Sequence, residues 1–77
     1  MTDYSGHVII DYTNYRGERS TRRIRPNELV FGQNAYHTTP QWLLVAVDIK
    51  KNAIRTFAMK DIHSWKIPVE IDQEKTR

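Results

Sequence analysis

Residues 42–48, read as Trp-Leu-Leu-Val-Ala-Val-Asp, form the longest apolar run in the chain. Pro40 stands just before it and Lys50-Lys51-Asn52 just after. A segment so short and so closely bounded suits a strand better than a helix. Val45 and Val47 are β-branched and favour a pleated strand. A continuous apolar strand predicts burial on both faces at the centre of a sheet. Leu43, Val45 and Val47 would point one way, and Trp42, Leu44 and Ala46 the other. Every other amphipathic segment then reads as a partner for this strand.

With 77 residues the chain is expected to form one domain with a small core. It has no cysteine, which rules out a disulfide staple and a thiolate metal site. No run approaches the roughly 18 apolar residues of a membrane span. The first six residues lack the basic and apolar regions of a signal peptide. The expectation is a soluble cytoplasmic protein in a reducing compartment.

The formal net charge is +3, but its distribution is uneven. Arg16, Arg19, Arg22, Arg23 and Arg25 lie close together, opposed only by Glu18. Such clustering attracts phosphate or carboxylate. It equally suits a solvated strand edge that resists sheet-to-sheet aggregation. Charge alone leaves both readings open.

In chain order, residues 8–12 alternate as a strand, with Val8, Ile10 and Tyr12 on one face. Asn14 and Gly17 suit a tight turn. Residues 19–25 read as the returning strand of a hairpin, with Ile24 inward. Arg22 shares the face of Ile24, and Arg23 and Arg25 share the other. Pro26, lacking an amide hydrogen, is expected to end the pairing. Residues 27–31 read as a short strand or an extended crossing. Residues 32–41 form a long polar loop holding Tyr36, His37 and Pro40, and loops of this length often carry function. After the apolar strand, residues 50–52 make a turn and residues 54–59 return antiparallel. Residues 60–63 read as one helical turn, and residues 65–67 as a last strand stopped by Pro68. Several short strands separated by turn signals predict an all-β barrel or compact sheet. The only helical candidate is far too short for a DNA-reading helix-turn-helix.

The succession Ile10-Asp11-Tyr12, Asn14, Gly17-Glu18, Arg22, Ile24, Pro26, Trp42-Leu43-Leu44, Asp48, Arg55, Phe57, Ile62 resembles the WYL domain. The resemblance runs from about residue 8 to residue 65. Its most specific parts are the hairpin exit at Arg22, Ile24 and Pro26, and the Arg-x-Phe of Arg55 and Phe57. It implies a small SH3/Sm-like barrel of about five short antiparallel strands with a single short helical turn. It also implies ligand sensing in bacterial and phage transcription regulators. The ligands it implies are negatively charged, single-stranded nucleic acid or nucleotides above all. Leu43 departs from the family's middle Tyr. The second basic residue that often follows Arg-x-Phe is displaced to Lys60, behind Ala58 and Met59. Residues 1–7 and 70–77 are expected to be loose segments around a domain spanning residues 8–69.

Catalysis finds little support. His7, His37 and His63 are far apart and form no metal-binding pair. Ser5, Ser20 and Ser64 lack a nucleophile elbow. Asp11, Glu18 and Asp48 show no acid/base spacing. No enzyme, cofactor or metal is expected. Anion binding is better supported, because arginine forks match phosphate oxygens and stack on bases. Arg22, Arg23, Arg25 and Arg55 are the leading candidates. The resemblance places Arg55 among ligand-facing positions, and an ion pair with Asp48 or Asp11 is its competing role. His37 could donate to phosphate, or be a solvent-exposed loop histidine. Trp42 could stack on a base, though a Trp opening an apolar run is more often core. Lys60 completes the candidate set. Tyr12, Tyr15 and Tyr36 are further stacking partners or barrel caps. Leu44, Val45, Val47, Ile54 and Phe57 are expected in the core.

Two functions follow. One is a stand-alone WYL-like module that binds an anionic ligand, single-stranded DNA, RNA or a nucleotide, and acts in transcription regulation through a partner. The other is a protein-interaction accessory without its own ligand, pairing with a regulator or with itself through a strand edge.

Overall fold

The structure is a computed structural model that describes residues 6–68. Its elements are β1 (Val8–Thr13), β2 (Arg19–Gly32), β3 (Gln41–Asp48), β4 (Ala53–Ala58), a 3₁₀ turn (Met59–Asp61) and β5 (Ile62–Lys66). They form one antiparallel sheet in the order β4-β3-β2-β1-β5. The fold is therefore all-β with a single helical turn, as the strand and turn pattern predicts. The loose segments expected before Val8 and after residue 69 lie outside the described residues, apart from Gly6 and His7. Among the described residues no helix is long and apolar enough to cross a membrane.

The sheet is rolled. Tyr12 on β1 and Phe57 on β4 are separated by two intervening strands, which in a flat sheet means roughly 14 Å. Their rings meet edge to face with centroids 4.9 Å apart. Curling brings the inner faces together around Val8, Ile10, Tyr12, Ile24, Leu44, Ala46 and Phe57, with Met59 and Ile62 packed against them. Ile10 and Ile24 are fully buried, each contributing about 1.5–3 kcal/mol by leaving water. The edges, β4 and β5, do not pair with each other, so the barrel stays open.

The first turn forms where Asn14 and Gly17 predict it. The Asn14 side-chain oxygen accepts from the backbone N–H groups of Arg16 and Glu18, at 2.9 and 3.0 Å. Gly17 takes φ +82°, the left-handed region where glycine carries no Cβ penalty.

Three expectations are corrected. Pro26 does not end the strand: β2 runs on for 14 residues and is itself the middle of the sheet. The register slips between Pro26 and Glu28, and β1 has already ended opposite Ile24. Bulges and open edges are where a sheet tolerates proline, and both occur here. Second, residues 42–48 are not the central strand. Among the described strands β3 pairs with β2 and β4; it buries Leu44, Ala46 and Asp48 on its inner face and Leu43 on the outer, where Val45 and Val47 are half-buried. Third, Ile54 is 66% exposed and is no core residue. It lies opposite Val47 on an edge strand, with the roll turned away from it.

Candidate ligand-binding cleft

A cleft of about 580 Å³ opens along the free edge of β4, where Ile54, Arg55, Thr56 and Phe57 line it in succession. The β1–β2 turn and the loop of residues 33–40 face that edge across the opening. Four cations line it: Arg16 from the turn, Arg22 from β2, Lys51 from the β3–β4 turn and Arg55 from β4. Among the described residues Glu18 is the one carboxylate in the lining, and it accepts from the side-chain amide of Asn14 at 3.0 Å. Residues distant along the chain thus gather into one positive concavity.

Each cation is held differently. Arg22 projects on the inner side of β2 beside Ile24. Its Nε donates to Ser20 Oγ at 3.0 Å and its Nη1 to Asp48 Oδ2 at 3.2 Å. Asp48 is 1% exposed and its other oxygen accepts from the Lys51 N–H at 3.2 Å. That carboxylate orients Arg22 and the turn carrying Lys51 together. Arg55 is exposed, and among the described residues it has no carboxylate partner; the Asp48 and Asp11 pairings go to Arg22 and Arg19 instead. Arg16 lies over the Tyr15 ring, 5.7 Å from its centroid. Tyr15 first, and Glu18 next, push the Arg16 pKa above its ordinary value, so it stays charged.

The rim is aromatic. Tyr15 and Tyr36 meet at 4.9 Å with a tilt of 41°, joining the first turn to the long loop. Both are largely exposed, so each still offers ring surface. Asn34 shapes the loop: its side-chain oxygen accepts from the N–H groups of Tyr36 and His37 at 2.9 and 2.8 Å. His37 is thereby folded inward to 8% exposure, which overturns the reading of a solvent-exposed loop histidine. Tyr12 forms the cleft floor with Phe57, and burial pushes its hydroxyl pKa up.

Of the predicted site residues, the cleft brings together Arg22, His37 and Arg55. Arg23 and Arg25 leave β2 on the other side, as alternation requires; Arg25 lies against Gly6. Trp42 is 53% exposed, not core, and packs edge to face on Phe31 at 5.3 Å, away from the cleft. It lies beyond Leu43, where β4 no longer pairs with β3, so no described strand covers that side. Lys60 pairs with Asp61 at 3.5 Å, also outside the lining. Sequence reasoning placed Arg16 in the arginine cluster and Lys51 in a turn without assigning either to a site. Only their position in space does that. Among the described residues no group of three His, Asp or Glu side chains gathers to hold a metal.

A rolled five-stranded antiparallel sheet with a basic, tyrosine-rimmed cleft along one edge defines a small all-β domain. The chain belongs to the WYL domain family, whose profile matches residues 5–67. That family comprises ligand-sensing regulatory modules of transcription regulators and is not a known catalytic one. Neither the curated proteins nor the solved structures yielded a match.

Proposed function

We propose that this WYL domain holds a negatively charged ligand, single-stranded nucleic acid or a nucleotide, in the cleft between β4 and the first turn. Through a partner protein it then acts in transcription regulation, which places it in the cytoplasm. The convergence of Arg16, Arg22, Lys51 and Arg55, with Glu18 the one carboxylate among the described residues of the lining, carries this reading. Tyr15 and Tyr36 supply stacking faces beside those charges, the combination single-strand binders use. Titrating a labelled oligonucleotide at two ionic strengths tests it. Binding is expected at low salt and to weaken as salt rises, because bound phosphates release counterions. No binding even at low salt would sink the proposal.

A second reading, a protein-interaction accessory, is favoured by the exposed pair Phe31 and Trp42 and by the unpaired edges of β4 and β5. Light scattering over a concentration series tests self-association; a monomer throughout argues against it.

A further inference from the structure

We propose that a second copy of this chain pairs with the far half of β2, strand against strand across a two-fold axis, to form a weak dimer. This rests on the second reading given above, deepens it by naming the surface and the occupant, and does not involve the cleft.

The surface follows from where strands stop. β1 pairs with β2 no further than Ile24, and β4 pairs with β3 no further than Leu43. The tip of the β2–β3 hairpin, where Leu29 stands opposite Leu44 and Phe31 opposite Trp42, outruns both neighbours. Leu44 belongs to the core, so alternation puts Leu29, Phe31 and Trp42 on the same inner face. All three are more than half exposed. Beside them runs open backbone: among the described residues no strand pairs with the β1 side of β2 over residues 27–32. An apolar face beside unpaired backbone is what strand addition uses, the backbone for hydrogen bonds and the side chains for specificity.

This edge is complementary to itself. Antiparallel pairing about Val30 sets Leu29 against Phe31 of the second copy, and Phe31 against its Leu29. Glu28, the only charged residue in 27–32, then meets Gly32, which has no side chain to repel it. Moving the axis to Glu28 opposes two carboxylates. Moving it to Leu29 sets Phe31 against Asn27, and moving it to Phe31 sets Leu29 against Gln33. The Val30 register alone joins the apolar pairs without facing like charges. A whole Phe or Trp side chain covers about 150–250 Å², so the exposed parts of Phe31 and Trp42, with Leu29, offer roughly 300 Å² per copy. Interfaces are a little over half apolar, so two copies bury about 1,100 Å² in all, at the low end for a specific interface.

Sedimentation velocity on the full chain, up to roughly 1 mM, reads the dimer. Gly32 is the informative position: its φ is not positive, and a Cβ there meets nothing within 4 Å. Gly32→Lys sets an amine against Glu28 of the second copy, twice across the axis, and should tighten the dimer about threefold. Gly32→Glu opposes like charges and should weaken it by about as much. Both effects should shrink in high salt. Leu29→Lys should leave a monomer; should it fail to fold, the Gly32 pair carries the test. Hydrogen exchange at the outward amides of residues 27–32 should slow as concentration rises. A dimer indifferent to the sign of the charge at residue 32 overturns this surface, while self-association stands. Slow exchange at those amides at every concentration assigns the edge to a segment of the same chain and overturns the dimer there. A wild-type monomer throughout overturns the surface and self-association together.

Discussion

Arg22 Nη1 lies 3.2 Å from Asp48 Oδ2, joining the middle strand diagonally to the end of its neighbour β3. The carboxylate is out of water while the guanidinium keeps a quarter of its surface exposed. Asp48 is therefore a structural anchor that also aims a cleft cation. Asp48→Ala leaves Arg22 without its counter-charge and the Lys51 N–H without an acceptor. The expected loss is about 2–3 kcal/mol, below the range for fully buried pairs because Arg22 retains solvent. Urea denaturation checks it, with Asp48→Asn losing less because one carbonyl oxygen still accepts. A midpoint unchanged by Asp48→Ala would show that the pair contributes nothing.

Arg55 is the contrasting cation, exposed and with no described carboxylate to hold it. Arg55→Gln should leave stability within about 0.5 kcal/mol, as for most surface changes. The same variant should reduce the salt slope of oligonucleotide binding by about 0.7. Equilibrium unfolding and a salt series on one preparation separate the two effects. A large fall in stability would assign Arg55 to the fold rather than to a ligand.

Tyr36 is expected to matter to binding more than to folding. Its ring is exposed and touches only the equally exposed Tyr15 among the described aromatic rings. Tyr36→Ala should cost about 1–3 kcal/mol of oligonucleotide affinity through lost stacking. Tyr36→Phe should restore most of that, since the ring and not the hydroxyl stacks. Anisotropy titration of both variants decides; equal losses from Ala and Phe would point to the hydroxyl instead.

Asp11 and Arg19 meet through two bonds of 2.9 and 2.8 Å on the outer face of the first hairpin. The hydrogen bond from Arg19 is the main reason the Asp11 pKa falls below its ordinary 3.8. A depressed carboxylate stabilises the folded state above its unfolded pKa, and that contribution disappears as pH falls through the folded value. The stability gap between wild type and Asp11→Asn should thus be constant above about pH 5 and close in strong acid. Chemical denaturation across that range measures it. A gap that widens toward acid would contradict the pairing.

The first strand, the Asn14–Gly17 turn and the presence of one helical turn are legible in the sequence, whereas the last strand, expected over residues 65–67 after a turn at 60–63, runs over Ile62–Lys66. Side-chain alternation and turn chemistry act over a few residues and need no knowledge of distant partners. Alternation also separates Arg22 from Arg23 and Arg25 before any coordinates. The continuity of β2 through Pro26 is not legible. A proline's cost depends on whether its neighbour strand is present, and β1 stops opposite Ile24 for reasons lying elsewhere in the chain. Trp42 and Ile54 look like core for the same reason. Apolar character shows that a side chain gains from cover, but another strand must be there to cover it.

By itself, then, the sequence determined an all-β chain, its turn positions and the family to which it belongs, because each is encoded in short-range order. Only the tertiary structure decided which charges share a surface. Rolling a sheet sets Arg16, Arg22, Lys51 and Arg55 around one opening and turns Arg25, Lys60 and Trp42 elsewhere. Curvature arises from the packing of inner faces contributed by every strand at once, and no local stretch of residues contains it.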